Sequence, residues 1–171
     1  MNEMILTTTV DGNSVDIPYQ PEDHELFFAD SIPEQLFRRI SNRISQEEKI
    51  PIEDARQILD GALGYLLLAA RSPQEGFPPS AVVDIGWHTF ILYTHDYAEF
   101  CERVAGHFIH HCPSDGDDFD VRSAKTSRDT VEAMIERHIP FHPSQWVSAY
   151  KCCGPGGPDS CKPRCGKCLY K

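Results

Sequence analysis

The sequence predicts a mainly α protein. The expected architecture is a compact helical domain of about five helices, with a small N-terminal β-hairpin and an irregular, Cys-rich C-terminal tail. Three observations carry this. Apolar residues recur at helical spacing through most of the chain. Short β-rich runs are confined to the start. The periodicity stops before Lys151, where Gly, Pro and Cys take over. Residues 1–150 therefore read as one helical domain with its hairpin, and 151–171 as a tail that is a candidate zinc knuckle. A chain of 171 residues can bury a real core, so the domain is expected to fold without cysteine staples and without its tail.

The elements follow in order. "MILTTTV-DGN-SVDIP" gives two β-rich runs around Asp11-Gly12, a pair that supplies the positive φ angles of a hairpin turn. "ADSIPEQLFRRISNRI" opens a helix, with Ser31 as expected cap, Pro33 in the first turn and Glu34 three residues after the cap. Leu36, Phe37, Ile40 and Ile44 share one face. The second helix places Ile52, Ala55, Ile58, Leu59, Ala62, Leu63 and Leu66 at helical spacing. Its end, "YLLLAA", is apolar all round, as in a central buried helix. After the loop "SPQEGFPPS", Ser80 caps a third helix. Thr94 starts a fourth that Gly106 can end, and Ser127 is the expected cap of a fifth. "HPSQWVSAY" reads as a short last helix.

Charge narrows the function classes. The formal net charge is −10, against general binding to a phosphate backbone or an anionic membrane surface. The start lacks a basic region followed by an apolar one, and "GALGYLLLAA" is about half the length needed to span a bilayer. The expectation is a cytoplasmic protein with no nucleic-acid or membrane partner, in which clustered cysteines serve metal or redox chemistry rather than disulfides.

"VVDIGWHTFILYTHDYAEFCERVAGHFIHHCP" carries five of the eight histidines. Asp84 and His88 are four apart and stack on one helix face. The pair can share a metal, or Asp84 can accept from the His88 ring and fix its tautomer. Trp87 and Ile91 are expected to face the core. His107 lies three residues before His110 and four before His111. If that segment is helical, either pair shares a face. If it is extended, His110 and His111 point opposite ways and only one can join a site. A short α-hairpin would bring Asp84 and His88 opposite them, a set suited to zinc or non-haem iron. The competing reading gives His88 and Trp87 plain packing duty. His95 reads as a surface or capping residue. His24, His138 and His142 have no partner by spacing and read as solvated or core residues. The acidic loop at Asp115, Asp117, Asp118 and Asp120 lacks calcium-loop spacing.

In Asp84, Trp87, His88, Thr94, Tyr97, Cys101, Gly106, His110, His111 and Pro113, this stretch resembles the core of the proteins named glycine-rich domain-containing protein-like. It is most similar to small actinobacterial members with a short Cys-containing tail. The resemblance spans roughly residues 30 to 113. It implies that Asp84, His88 and the His-His pair sit together. It implies no enzymatic activity.

In the tail, Cys165-x-x-Cys168 is a chelating unit for tetrahedral zinc, and Cys161 with Cys152 or Cys153 can complete four thiolates. The spacing is irregular, and adjacent thiols also suit copper(I) capture. An iron–sulfur cluster, a redox dithiol, a disordered tail and a mixed site with His88 or His110 remain open. The candidate ligands are thus Asp84, His88, His110, His111 and the five tail cysteines, with zinc as first cofactor and iron or copper as alternatives. Three functions compete. The first is a zinc-binding accessory protein with a protein partner. The second is a metal-dependent enzyme using Asp84, His88 and His110 or His111. The third is a metal-free adaptor. Gly-x-Ser-x-Gly, phosphate-loop and dinucleotide motifs are absent.

Overall fold

A computed structural model describes the backbone of residues 4–10 and 13–19, and backbone with side chains of 26–111 and 125–146. Helices dominate, as expected. They are α1 (Glu34–Glu48), α2 (Ile52–Arg71), α3 (Ala81–Ile91), α4 (Thr94–Ala105) and α5 (Ser127–Glu136), with 3-10 turns at Ala29–Ser31 and Pro143–Trp146. Strands β1 (Met4–Val10) and β2 (Asn13–Tyr19) pair antiparallel, from Met4 opposite Tyr19 to Val10 opposite Asn13. The expected turn residues Asp11 and Gly12, His24, Cys112, the acidic loop and the tail of residues 151–171 with its five cysteines lie outside the described residues.

Two helix starts differ from expectation. Ser31 ends the first 3-10 turn and does not cap α1. Ile32 is extended after it, and the Pro33 carbonyl accepts from the Leu36 and Phe37 amides instead. The cap of α5 is Thr126, one residue before Ser127. Only Thr126 has an acid at the third following position. Asp129 therefore completes a reciprocal capping box, whereas the hydroxyl three residues beyond Ser127, that of Thr130, bonds the Pro78 carbonyl. The Ser80 hydroxyl does cap α3, accepting from the Val83 amide at 3.1 Å. Gly106 ends α4 at φ 71°, where a side chain would be strained.

α2 is the centre of the domain and packs against α1, α3, α4 and α5. Leu59, Ala62, Leu63, Leu66 and Leu68 are fully buried along it and belong to one core with Leu36, Phe37, Ile40 and Ile44 of α1. Each buried Leu contributes roughly 1.5–3 kcal/mol. That outweighs the roughly 1 kcal/mol that a helical glycine such as Gly61 costs. Ile52, expected on the buried face, is instead 36% exposed, because it sits in the first turn at the domain edge. Inside this apolar helix lies a charge, Asp60, that is fully buried. Its carboxylate accepts from the Phe27 and Phe28 amides at 3.1 and 2.7 Å and meets His142 Nε2 at 2.8 Å. Asp60 thus ties both ends of the described domain to its central helix. Gly61 beside it leaves room for Gln145, whose Oε1 would lie 1.9 Å from an added Cβ. No described helix is long and apolar enough to cross a membrane.

Candidate metal centre

α3 presents Asp84 and His88 one turn apart on its outer side, while Val83, Trp87 and Phe90 point inward. The helix is pressed tightly onto α2 at Gly86. A Cβ there would meet the Ile58 carbonyl at 2.7 Å and the Ala62 Cβ at 2.8 Å. This close approach fixes the depth of α3, and with it the height of Asp84 and His88.

The third member arrives from the segment after α4. Residues 107–111 are not helical. Their course is held by a buried relay: Trp87 Nε1 donates to the Tyr97 hydroxyl at 2.9 Å, which donates to the Ile109 carbonyl at 2.7 Å. Burial pushes the Tyr97 phenol far above its ordinary value, so it keeps the proton it donates. With Ile109 pinned inward, His111 lands on the Trp87 ring, centroids 4.4 Å apart, and beside His88, centroids 4.3 Å apart.

The resulting cluster is Asp84, His88 and His111. His111 Nε2 lies 2.8 Å from Asp84 Oδ1 and 2.9 Å from His88 Nε2. His88 Nε2 lies 3.6 Å from Asp84 Oδ2. Two ring nitrogens and a carboxylate therefore converge on one point. Bonds of about 2.0–2.2 Å to a common metal would set such atoms roughly 2.9–3.5 Å apart. The 2.9 Å between the two ring nitrogens meets the lower end of that range, and Asp84 approaches each ring through a different oxygen. Without a cation, a single proton on His111 Nε2 cannot serve Asp84 and His88 along straight lines at once.

His110, the other half of the pair, is not in the cluster. It is exposed, and its ring lies beside Phe108, 5.0 Å away, as alternation along an extended segment requires. His107 is also exposed, with Nδ1 2.9 Å from the Ala105 carbonyl. His95 and His138 are exposed, and Cys101 is buried as a free thiol in the core. His142, which has no partner by spacing, is paired with buried Asp60.

The cluster is graded in exposure. The His111 side chain is 15% exposed, Asp84 31% and His88 57%. On the outer side His88 and His111 border a cleft of about 460 Å³. Ile85, Ile91 and Leu92 give it an apolar lining, and Glu47 and Glu48, at the end of α1, line it too. On the inner side Tyr65 closes the floor. It packs on Trp87 and donates to the Phe77 carbonyl at 2.8 Å; burial, with Asp84 adding, pushes its phenol far above the ordinary value.

Sequence reasoning missed Tyr97 as the positioning group, Asp60 as a buried tie and Glu47 and Glu48 as cleft residues. Asp60 was signalled by a charge inside an otherwise apolar helix. The two glutamates were signalled by acids in a last helical turn, where the macrodipole disfavours them. Tyr97 had no signal, because its link to Ile109 depends on a turn at Gly106.

No curated protein and no solved structure matches the chain. A family model described as UCP032817-like matches residues 24–130. This corrects the resemblance to the glycine-rich domain-containing protein-like family, which the matching family does not support. The shared positions from Asp84 to Pro113 fall inside a different family's span, and the description of that family names no activity. Since the match covers more than half of its length, the chain belongs to the UCP032817-like family.

Proposed function

We propose that Asp84, His88 and His111 bind one divalent transition metal, zinc or ferrous iron, and that the protein is a metal-dependent enzyme acting on a small molecule in the adjoining cleft. The observation that carries this is the convergence of two imidazole Nε2 atoms and a carboxylate within 4.8 Å of one another at the edge of an open cleft. Three protein ligands leave coordination positions for water and substrate, whereas a closed structural site fills all four. Two imidazoles and one carboxylate suit zinc as a Lewis acid and suit non-haem iron equally. The graded exposure supports the open form, since His111 is sheltered on Trp87 while His88 faces the cleft. The cytoplasmic setting proposed from the sequence is compatible with either metal.

A metal-free reading has one observation in its favour. The 2.8 Å contact of Asp84 with His111 alone would pin residues 107–111 to α3.

Cobalt(II) titration of the metal-free, untagged protein separates the two. The expected result is one cobalt per chain, with a visible absorption band. The band should persist in a full-length variant with Cys152, Cys153, Cys161, Cys165 and Cys168 all changed to Ser. It should be lost in His88→Ala and His111→Ala. A band lost with the cysteines would move the metal to the tail. Absence of a band in every form would leave the cluster as a structural clamp.

A further inference from the structure

The cleft beside the metal cluster has a charge pattern that the metal reading does not use. Its wall is aliphatic, made by Ile85, Ile91 and Leu92, and the Leu92 side chain is 57% exposed. Glu47 and Glu48 line it as well. None of the described residues lining the cleft is Lys or Arg. Glu47 is partly neutralised by Arg43, whose Nε lies 2.8 Å from its Oε1. Among the described residues, Glu48 has no ion pair.

The position of these two acids adds to the field. They occupy the last turn of α1, which contains no basic residue. The carbonyl end of a helix already carries about half a negative charge. Carboxylates there cost stability rather than add it, and local rules broken in this way concentrate where function requires it. The cleft lining is therefore acidic and holds no cation, while Lys49 caps the same helix end outside the lining. An anionic substrate would find no guanidinium or ammonium among the described lining residues to hold it. A cationic one would find Glu48 in the same lining as Ile85, Ile91 and Leu92.

We infer that the cleft selects an aliphatic amine: a small molecule with a metal-binding polar head, a short hydrocarbon stretch lying along Ile85, Ile91 and Leu92, and an ammonium group received by Glu48. The inference rests on the metal reading above and names the substrate class of that site.

Three hydroxamates of equal chain length test it. The head group chelates the metal in all of them, and the far end carries an amine, a methyl or a carboxylate: 6-aminohexanohydroxamate, heptanohydroxamate and 6-carboxyhexanohydroxamate. Each is titrated into the cobalt-loaded full chain, and the cobalt band reads head-group binding. The amine is expected to bind about threefold to tenfold more tightly than the methyl compound, as a rim ion pair allows, and the carboxylate more weakly than both. In Glu48→Gln the amine's advantage should fall to near unity, with cobalt loading read separately from the band itself. Equal affinities, or a preference for the carboxylate, would overturn the amine inference and leave the metal site standing. A cobalt band that no hydroxamate perturbs would overturn it too, by showing a closed site. A chain that takes up no cobalt would overturn both readings together.

Discussion

Asp60 and Asp84 each meet a histidine ring nitrogen at 2.8 Å, yet they are built for opposite ends. Asp60 is fully buried in α2, and His142 is nearly so. Every polar neighbour of Asp60 is a donor that it satisfies: two backbone amides and one imidazole. That is a closed account of lone pairs and protons, the condition under which a buried charge is tolerated. Asp84 sits at a cleft and faces two imidazoles, one at hydrogen-bond distance and one at 3.6 Å. The two ring nitrogens also lie 2.9 Å from each other, so one proton between them cannot point straight at both of its neighbours. An Asp–His contact therefore carries no functional meaning by itself. Complete satisfaction marks a structural tie, and on the proposed reading the convergence of two rings on one carboxylate marks a ligand set.

The largest effect that can break this contrast is Asp60→Ala. It would leave His142 and the Phe27 and Phe28 amides without their acceptor inside the domain. Losing one partner of a buried pair costs about 3–5 kcal/mol. Urea unfolding followed by circular dichroism should show that loss in full. A small change would mean that Asp60 is replaceable and that burial was misread as duty. Next comes Tyr97→Phe, which strips the acceptor from Trp87 Nε1 and the donor from the Ile109 carbonyl. An expected loss of about 1–3 kcal/mol reflects these unsatisfied groups. Tyr97 does not belong to the ligand set, so a parallel fall in cobalt affinity would identify it as a positioning residue. Unchanged affinity would show that residues 107–111 are held by other means.

Much of the fold was legible because it rests on periodicity. The stripe Leu36, Phe37, Ile40 and Ile44 reports the buried face of α1 directly, and "YLLLAA" reports a helix packed on several sides. Caps were less legible, since Thr126 and Ser127 offer the same chemistry one residue apart and only Asp129 decides between them. Half of the site was readable for the same reason as the core. Asp84 and His88 are joined by a helical turn, which spacing reveals. His111 over His110 was a choice between helix and extended chain, and it turned on the buried Tyr97–Ile109 bond. Contacts across long separations, such as Asp60 with His142, leave no periodic trace. The family resemblance rested on ten positions, and the family model that matches residues 24–130 is a different one.

A carboxylate at the surface extends the contrast to a third case. Glu75 meets Lys125 at 2.7 Å and Arg137 at 2.5 Å around the Phe77 ring. The Lys125 hydrogen bond, with Arg137 adding, holds its carboxyl below the ordinary value. A lowered folded pKa contributes stability above the unfolded pKa, about 4.3, and that contribution is lost as pH falls towards the folded value. Glu75 is well exposed, so Glu75→Gln should cost under about 1 kcal/mol at pH 7. Unfolding curves of the two proteins should converge once the pH falls below the lowered folded value. A gap that survives in acid would mean that Glu75 acts by packing rather than by charge.

The smallest stability effect belongs to His88→Ala, and it is the sharpest test of what Asp84 is for. The His88 side chain is 57% exposed, and its contact with Asp84 is 3.6 Å long. In the metal-free protein its removal should shift stability by no more than about 0.5 kcal/mol, as for other surface changes. The parent protein should gain about 2.7 kcal/mol when free metal reaches a hundred times its dissociation constant, and the variant should gain little at that concentration. Thermal unfolding with and without metal reads both numbers from one sample pair. If His88→Ala destabilised the metal-free chain as strongly as Asp60→Ala, the two aspartates would share one structural role, and the proposed ligand role of Asp84 would fall.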